Sequence, residues 1–503
     1  MGLGTNKMVK FFSFLFITVL FINNGRSQKL YIPVSNEEII KVYKLGKKSS
    51  SGEYVYTDQD GNIRIKGKFN KNIPVGKWYL FYEDGGLMAN YGYNDNGELD
   101  GVFAEYYETS KLKKQGFFIK NIQNKLWKTF YEDGKEESVG QMLEGKKYKI
   151  WLKYHPNGKL KELANYNING ELSGDYVSYD NFGVAINKAY YTNNKIDGEY
   201  YEFYSNEQIA LKGYYKLGLK DSIWTEFGPY GRITFQKRFK NDLPHSKWVY
   251  FYPNSGSIQK EESYDNGMRN GKFIEYYPSE RVSKSYNFKN NLLNGEYIEY
   301  LPIGYISVKG EFSNGLKTGV WETFNENGDI FSIGKYINDY QNGNWKFFHN
   351  SGNVSLEGIF KNGYESGQWI SYYDGGELDE IGEYINGLKD GKWGRFHVDG
   401  SLKQEEIYKL GKLIEVSDFY LSDGNIFKNE TFYNGNGELF DYYEDGNIFS
   451  KAKYKNGLLN GMYSEYHTNG KILQSGMYKN GEKSGTWNEF NRRGGEIKRK
   501  TYD

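Results

Sequence analysis

The 503-residue chain contains no cysteine, which excludes disulfide bonds, a lipid on an N-terminal cysteine and thiolate metal sites. It has only eight prolines, and no apolar run approaches the roughly 20 residues that a membrane-spanning helix needs. Its 65 Lys and Arg balance 64 Asp and Glu, so it lacks the basic excess typical of nucleic-acid-binding proteins. We therefore expect neither a nucleic-acid partner nor an integral membrane span.

The longest apolar run, residues 11–22, follows two lysines and precedes small residues. This arrangement is typical of a secretory signal peptide, and the run is too short to cross a bilayer as a helix. We expect residues 1–27 to be a signal peptide that is cleaved near Ser27-Gln28. The mature chain would then be exported to a periplasmic or extracellular location.

Glycine and tyrosine are abundant instead, with 61 Gly and 49 Tyr, and they follow a fixed period. The stretch GNWKFFHNSG at 343–352 returns as GQWISYYDGG at 367–376 and as GKWGRFHVDG at 391–400, a step of 24 residues both times. When Trp345 is taken as position 0 of a repeat, the same position recurs in 19 repeats and holds all ten tryptophans. The residues at position 0 are Tyr54, Trp78, Phe103, Trp127, Trp151, Tyr176, Tyr200, Trp224, Trp248, Phe273, Tyr297, Trp321, Trp345, Trp369, Trp393, Ser417, Leu439, Tyr463 and Trp487.

Each repeat predicts a β-hairpin. Position +3 is aromatic in every repeat but the first, and position +15 is aromatic in all but two, which carry Met142 and Ser263. Dipeptides such as Asn327-Gly328 stand at +6 and +7, and a second such dipeptide joins consecutive repeats; both are typical of type I′ turns. The step shortens to 22 residues before Leu439, so we expect an irregular repeat near 415–440.

A two-residue turn at +6 and +7 predicts that position 0 faces +13 and that position −2 faces +15. Both partner positions are rich in glycine, which we interpret as large rings lying over bare backbone. The expected fold is all-β, an elongated single-sheet array of about 19 tandem hairpins of 24 residues, twisted or coiled, over residues 52–503. Residues 28–51 would form an N-terminal cap and partial repeat.

The repeat unit, as in GKWYLFYEDGGLMANYGYNDNG at 76–97 and GMYSEYHTNGKILQSGMYKNG at 461–481, resembles the MORN repeat variant of bacterial YwqK-type antitoxin proteins. The resemblance covers residues 43–503. It implies a hairpin array with a binding or scaffold role, with lipid or protein partners for MORN arrays and toxin neutralisation for the YwqK type. It does not specify an activity, because such repeats occur with unrelated partners.

Ionisable residues also follow the period. His349 and His397 occupy position +4, which is mostly tyrosine, and they lie about 19 Å apart at about 9.6 Å per hairpin, too far to share one metal ion. Acidic residues recur at +2, on a single-layer sheet that offers no cleft to desolvate a catalytic acid. We therefore expect no metal, no cofactor and no enzymatic activity.

The aromatic rows have two interpretations, a structural core or an exposed platform for a partner. The candidate binding face consists of four consecutive tryptophan repeats and the +4 residues beside them: Trp321, Trp345, His349, Trp369, Tyr373, Trp393 and His397. The leading functional hypothesis is an exported protein-binding scaffold. An antitoxin or immunity-type protein, and glycan or cell-wall binding through the aromatic rows, are the alternatives.

The first prediction concerns export. The mature N-terminus should be Gln28 or a residue within a few positions of it, whether translation starts at Met1 or at Met8, because the apolar run is too short to remain as a span. Mass spectrometry of the native protein tests this. An intact Met1 or Met8 would overturn the assigned location.

Overall fold

The computed structural model describes residues 51–502. Every regular element among these residues is a β-strand, and the strands of each hairpin pair antiparallel. The all-β class and the hairpin array predicted from the period are confirmed. The predicted signal peptide and most of the predicted cap lie outside the described residues.

The described residues divide into two compact segments, residues 51–232 with 240–242, and residues 233–239 with 243–502. We call these the N-terminal and C-terminal segments. The strands of the N-terminal segment are β1 (Gly52–Thr57), β2 (Ile63–Asn70), β3 (Ile73–Phe81), β4 (Leu87–Tyr93), β5 (Gly101–Tyr106), β6 (Leu112–Ile119), β7 (Ile122–Phe130), β8 (Glu136–Leu143), β9 (Lys146–Tyr154), β10 (Leu160–Tyr166), β11 (Leu172–Tyr179), β12 (Ala185–Thr192), β13 (Lys195–Phe203), β14 (Ile209–Lys216) and β15 (Leu219–Phe227).

The remaining strands follow the same alternation of outgoing and return strands until residue 416. They are β16 (Ile233–Lys240), β17 (Leu243–Pro244), β18 (Ser246–Phe251), β19 (Ile258–Asp265), β20 (Met268–Arg269), β21 (Gly271–Tyr276), β22 (Val282–Lys289), β23 (Leu292–Tyr300), β24 (Ile306–Ser313), β25 (Leu316–Phe324), β26 (Ile330–Ile337), β27 (Tyr340–Phe348), β28 (Val354–Lys361), β29 (Tyr364–Tyr372), β30 (Leu378–Ile385), β31 (Leu388–Phe396), β32 (Leu402–Lys409), β33 (Lys412–Val416), β34 (Phe419–Tyr420), β35 (Ile426–Phe427), β36 (Phe432–Tyr433), β37 (Asn436–Tyr442), β38 (Ile448–Lys455), β39 (Leu458–Tyr466), β40 (Ile472–Lys479), β41 (Glu482–Phe490) and β42 (Glu496–Tyr502).

The turn inside each hairpin differs from the expected type I′. In the repeat of Trp321, the Gly328 amide donates to the Asn325 carbonyl, the Asn325 amide donates to the Asp329 carbonyl, and only Gly328 of the turn has positive φ, at 89°. This is a type I turn that ends in a glycine bulge, a three-residue loop instead of a two-residue one. The type I′ prediction is therefore wrong at +6 and +7, because an Asn-Gly pair suits either turn.

The type I′ turn does occur between repeats. Asn362 and Gly363 have φ values of 51° and 86°, so both central residues lie in the left-handed region that this turn requires. The two kinds of turn thus alternate along the chain at opposite ends of the strands.

The predicted register is confirmed despite the different turn. Trp345 pairs with Gly358 and Gly343 pairs with Phe360, which are the predicted partners of positions 0 and −2. Near the turn, however, Phe348 pairs with Val354. The next pair is Phe347 with Leu356, so the return strand contains one extra residue, and from this pair onward the predicted register holds. A β-bulge therefore compensates for the longer turn.

Nine of the ten tryptophan rings lie over a glycine of the preceding repeat. A Cβ on Gly334 would lie 2.0 Å from Cδ2 of Trp345, and one on Gly358 would lie 2.2 Å from Cδ2 of Trp369. The Trp345 indole also donates to the Lys335 carbonyl at 3.2 Å, again in the preceding repeat. The same glycine contact, at 2.0–2.3 Å, holds nine of the ten tryptophans, on Gly67, Gly116, Gly140, Gly213, Gly310, Gly334, Gly358, Gly382 and Gly476. The +13 glycine therefore connects successive hairpins.

Trp248 is the exception, because Lys237 stands where the glycine would be. The Lys237 ammonium lies 5.1 Å from the centre of the indole. Trp248 is only partly buried, whereas the other nine tryptophans are at most 8% exposed. Full burial of the ring thus goes together with the glycine beneath it.

The glycine at position −2 has a different role from the one predicted. A Cβ on Gly343 or Gly367 would meet no atom within 4 Å, so no ring lies over these residues. They have φ values of 75° and 66°, and Gly367 falls in a bulge where the strand pairing shifts. Glycine is favoured here because the backbone is left-handed. Lys149 occupies position −2 of the Trp151 repeat with a φ of 60°, so that repeat carries the strain of a non-glycine residue in this conformation.

The +15 rings fill the spaces between successive tryptophans. Phe360 meets Trp345 and Trp369 edge to face, with ring centres 5.8 and 4.9 Å apart. Tyr384 continues the series between Trp369 and Trp393, at 6.1 and 5.0 Å. The result is a continuous ladder of perpendicular rings, each contact contributing about 0.5–1.5 kcal/mol beyond burial.

The array is interrupted within the C-terminal segment. The long sheet ends with β33, two-residue strands follow, and a separate seven-stranded sheet comprises β36 to β42. In the gap, the Asn429 side chain donates to the carbonyls of Val416 and Phe432. The interruption lies where position 0 is Ser417 and the repeat step shortens.

The second prediction tests the ring and glycine contact. Gly334→Ala should lower the local free energy of unfolding by about 3 kcal/mol or more, because the new methyl group displaces the Trp345 ring from its buried position. Hydrogen exchange of the amides in β26 and β27 measures this effect. The matched control, Gly343→Ala, adds a methyl group to open space and should cost only the strain of its positive φ, about 1–2 kcal/mol. Equal costs for the two variants would contradict the contact.

Candidate functional site

The four tryptophans of the candidate binding face are core residues. Trp321, Trp345 and Trp369 are each 4% exposed, and Trp393 is 2% exposed. Their faces are covered by the glycine backbone and by the +15 rings. These indoles therefore offer no platform to a partner in this conformation.

The +4 residues form bridges between repeats. The Tyr373 hydroxyl donates to the Phe396 carbonyl at 2.8 Å, 23 residues ahead. His349 and His397 place Nε2 at 2.8 and 2.7 Å from the equivalent carbonyls of Tyr372 and Tyr420. A carbonyl can only accept, so each histidine carries a proton on Nε2 and replaces a tyrosine hydroxyl. Burial raises the pKa of Tyr373 to about 12, which keeps its hydroxyl available as the donor at neutral pH.

His397 has a second partner across the interruption of the sheet. Its Nδ1 lies 2.7 Å from Glu444 Oε1, and its side chain is 2% exposed. Arg395 Nη2 lies 2.9 Å from Asp441 Oδ2 in the same region. Because both nitrogens of His397 face acceptors, the imidazolium form satisfies them both. These two pairs connect strands on either side of the gap.

The acidic residues at +2 are hydrogen-bonded within the array. The Tyr200 hydroxyl donates to Glu202 at 2.8 Å, and the Tyr463 hydroxyl donates to Glu465 at 2.5 Å. Burial and the bond to Glu202 raise the pKa of Tyr200. Both carboxylates therefore serve as hydrogen-bond acceptors within their own repeats.

The structure brings no further groups together with the predicted site residues in a metal-binding arrangement. Within residues 51–502, no three His, Asp or Glu side chains are placed to hold a metal ion. In the same range, no helix is long and apolar enough to cross a membrane.

One regular series of exposed apolar residues lies at a position that the sequence analysis did not single out. Position −5 follows directly after the turn between repeats, and in seven consecutive repeats of the C-terminal segment it holds Leu, Met or Tyr. We call these residues the turn-edge row: Leu243, Met268, Leu292, Leu316, Tyr340, Tyr364 and Leu388, which are 41–59% exposed. The sequence signal that could have identified this row is the regular recurrence of an apolar residue directly after the turn between repeats.

The members of the turn-edge row pack along the turns. A Cβ on Gly363 would lie 3.3 Å from Tyr340, and one on Gly387 would lie 3.4 Å from Tyr364. Leu243, Leu292 and Leu388 lie in the same way against Gly267, Gly315 and Gly411, so five of the seven side chains rest against the turn of the next repeat. The row forms one supported apolar edge.

Comparison with solved structures gives matches of low identity. A crystal structure of TcdB2-TccC3 is 10% identical, with 90% of this chain and 31% of that chain covered and a TM-score of 0.13. A structure of the Photorhabdus luminescens Tc holotoxin pore is 11% identical, with 92% and 28% covered and a TM-score of 0.13. The chain thus spans about a third or less of the length of these chains. No curated protein matches it.

The family model of the MORN repeat variant matches the chain at seven positions. They are residues 99–120, 147–167, 317–338, 341–362, 365–386, 435–456 and 459–480. Each matched window contains one hairpin, with an outgoing strand, the inner turn and a return strand. The chain therefore contains repeats of the MORN repeat variant, and each matched repeat folds as a β-hairpin.

Proposed function

We propose that the mature chain is an exported, non-enzymatic scaffold that binds a protein partner through the turn-edge row. The observation that carries the proposal is the exposure of seven apolar side chains at one position of successive repeats, between 41% and 59% each. Contiguous exposed apolar residues on a folded protein are typical of interaction surfaces. The family supports a repeat scaffold and is compatible with protein binding.

The geometry of the row suits a protein. Its members recur about every 9.6 Å, so the row extends over roughly 58 Å, which is longer than a small-molecule site and fits an extended protein surface. Tyr340 and Tyr364, each 59% exposed, are the best anchors because tyrosine combines a large apolar area with a polar tip.

The polar side chains at positions +2 and +4 support a non-enzymatic role, because they make hydrogen bonds within the array. The +4 side chains bridge repeats, and the +2 carboxylates that we described accept from tyrosines of their own repeats. Their polar atoms thus already make the contacts that hold the array. Binding by accumulation of similar contacts along repeats is the mode that this arrangement favours.

The third prediction tests the row. A photo-crosslinking residue at position 364 of the exported chain should capture one protein partner in the cells that make it, and the double variant Tyr340→Ser, Tyr364→Ser should lower partner affinity by more than about tenfold. Circular dichroism should stay unchanged, because both side chains are largely exposed. Tyr305→Ser is the matched control, since Tyr305 is 52% exposed on an inner turn outside the row. An equal loss in both variants, or retention of only carbohydrate, would refute the proposed surface.

The fourth prediction concerns His349. His349→Tyr should leave stability within about 0.5 kcal/mol of the parent chain and leave partner binding unchanged, because the hydroxyl of Tyr373 makes the same bond in the next repeat. His349→Phe, the control, removes the donor and should cost about 1 kcal/mol. Denaturant unfolding and the same binding assay measure both variants. Loss of binding in a stable His349→Tyr chain would assign the histidine to a site.

A further inference from the structure

The ring ladder has a gap in the N-terminal segment. Position +15 of the Trp127 repeat holds Met142, so no aromatic ring stands between Trp127 and Trp151. The other non-aromatic residue at +15, Ser263, is compensated by Tyr264, whose ring lies 4.7 Å from that of Trp248. At Met142 the thioether leaves part of the space unfilled. A cavity of about 240 Å³ lies there between the two indoles.

The cavity is lined by polar groups as well as by rings. Lys114 places its ammonium 5.1 Å from the centre of the Trp127 ring, and Lys147 places its own 4.8 Å from that of Trp151. Gln123, Thr129 and Ser138 contribute an amide and two hydroxyls, and the hydroxyls lie 2.7 Å apart. Lys128 lines the cavity as well, but its ammonium is paired with Glu136. The site thus combines three lysines, hydrogen-bonding groups and apolar walls.

The two ammonium groups lack direct counter-ions. Among residues 51–502, neither Lys114 nor Lys147 has a carboxylate within 4.0 Å. Glu105, the acid that acts on Lys114, is paired with Lys113 at 2.7 Å, and Glu136 is paired with Lys128 at 2.8 Å. Burial lowers the pKa of Lys114, in keeping with a cation that is poorly reached by water. Lys147 contacts only the Tyr166 hydroxyl, at 3.3 Å, besides the rings.

We propose that this cavity binds a monosaccharide unit that carries a carboxylate, that is, a uronic acid. The lysines would pair with the carboxylate, and Gln123, Thr129 and Ser138 would bind ring hydroxyls. The apolar walls would cover the C–H face of the sugar. The volume of 240 Å³ lies below the roughly 300–1,000 Å³ of drug-sized sites, which fits a single ring. The inference does not depend on the turn-edge row, which lies in the other segment.

The fifth prediction tests the cavity by closing it. D-glucuronate should bind the full chain in isothermal titration calorimetry, and D-glucose should bind about tenfold more weakly or not at all, because it lacks the charge. Met142→Phe should remove glucuronate binding and raise the melting temperature, because phenylalanine restores the ring that most repeats carry at +15. Lys147→Gln should weaken glucuronate binding by about tenfold while leaving the fold intact.

The matched control is Phe360→Met, which opens the same kind of gap between Trp345 and Trp369. This variant should lower the melting temperature and leave glucuronate binding unchanged, because the site lies elsewhere. Glucuronate binding that persists in a folded Met142→Phe chain would place the site outside the cavity. Equal binding of inorganic phosphate would show a general anion site, and equal binding of glucose would exclude the lysines; either result overturns the proposal.

Discussion

The contact between an indole and a bare glycine backbone is the constraint on which the array depends. Because the ring occupies the volume of a Cβ, the two positions must vary together, and Lys237 with the partly buried Trp248 shows what happens when they do not. The contact joins consecutive hairpins across the turn between them, at a distance of 11 residues in sequence. Burial of large rings in a thin sheet follows from this geometry, since each ring has a flat peptide surface below it and perpendicular rings at its sides.

This construction separates the residues that hold the array from those that are free to act. Positions 0, +4, +13 and +15 are used for contacts between repeats, so the most conspicuous residues of the sequence are structural. Position +4 accepts different residue types as long as the side chain donates a hydrogen bond to the next repeat. His349 makes this bond with Nε2, and Tyr373 makes it with its hydroxyl. Two features not used in this way are the exposed residues beside the turns, at position −5, and the gap of the ladder at Met142. The positions that the contacts between repeats leave unused are therefore the ones at which a partner could be bound.

Much of the fold was predictable from the sequence, because a fixed period carries the register of every hairpin. The pairing of Trp345 with Gly358 and of Gly343 with Phe360 could be predicted from spacing alone. The inner turn could not, because Asn-Gly fits two turn types and the difference is cancelled by a bulge. Spacing likewise did not reveal why Gly343 is a glycine. Its backbone has a positive φ, and no ring lies over it. The pairs of Arg395 with Asp441 and of His397 with Glu444 span an interruption of the period, where spacing has no predictive value. The only sequence signal for the cavity was Met142, which stands at position +15, where most repeats have an aromatic residue.

The direction of the ring contact has a consequence for how the chain is made. Each indole lies on a glycine of the repeat that precedes it, and the +4 side chain reaches to the repeat that follows. A hairpin that emerges from a ribosome or a translocation channel therefore meets a glycine surface that is already in place and can dock its tryptophan at once. In the regular part of the array the tryptophan contact is local, so synthesis from the N-terminus can add repeats one at a time, much as monomers add to the growing end of a filament. The pairs of Arg395 with Asp441 and of His397 with Glu444, 46 and 47 residues apart, form only after the chain has passed the interruption.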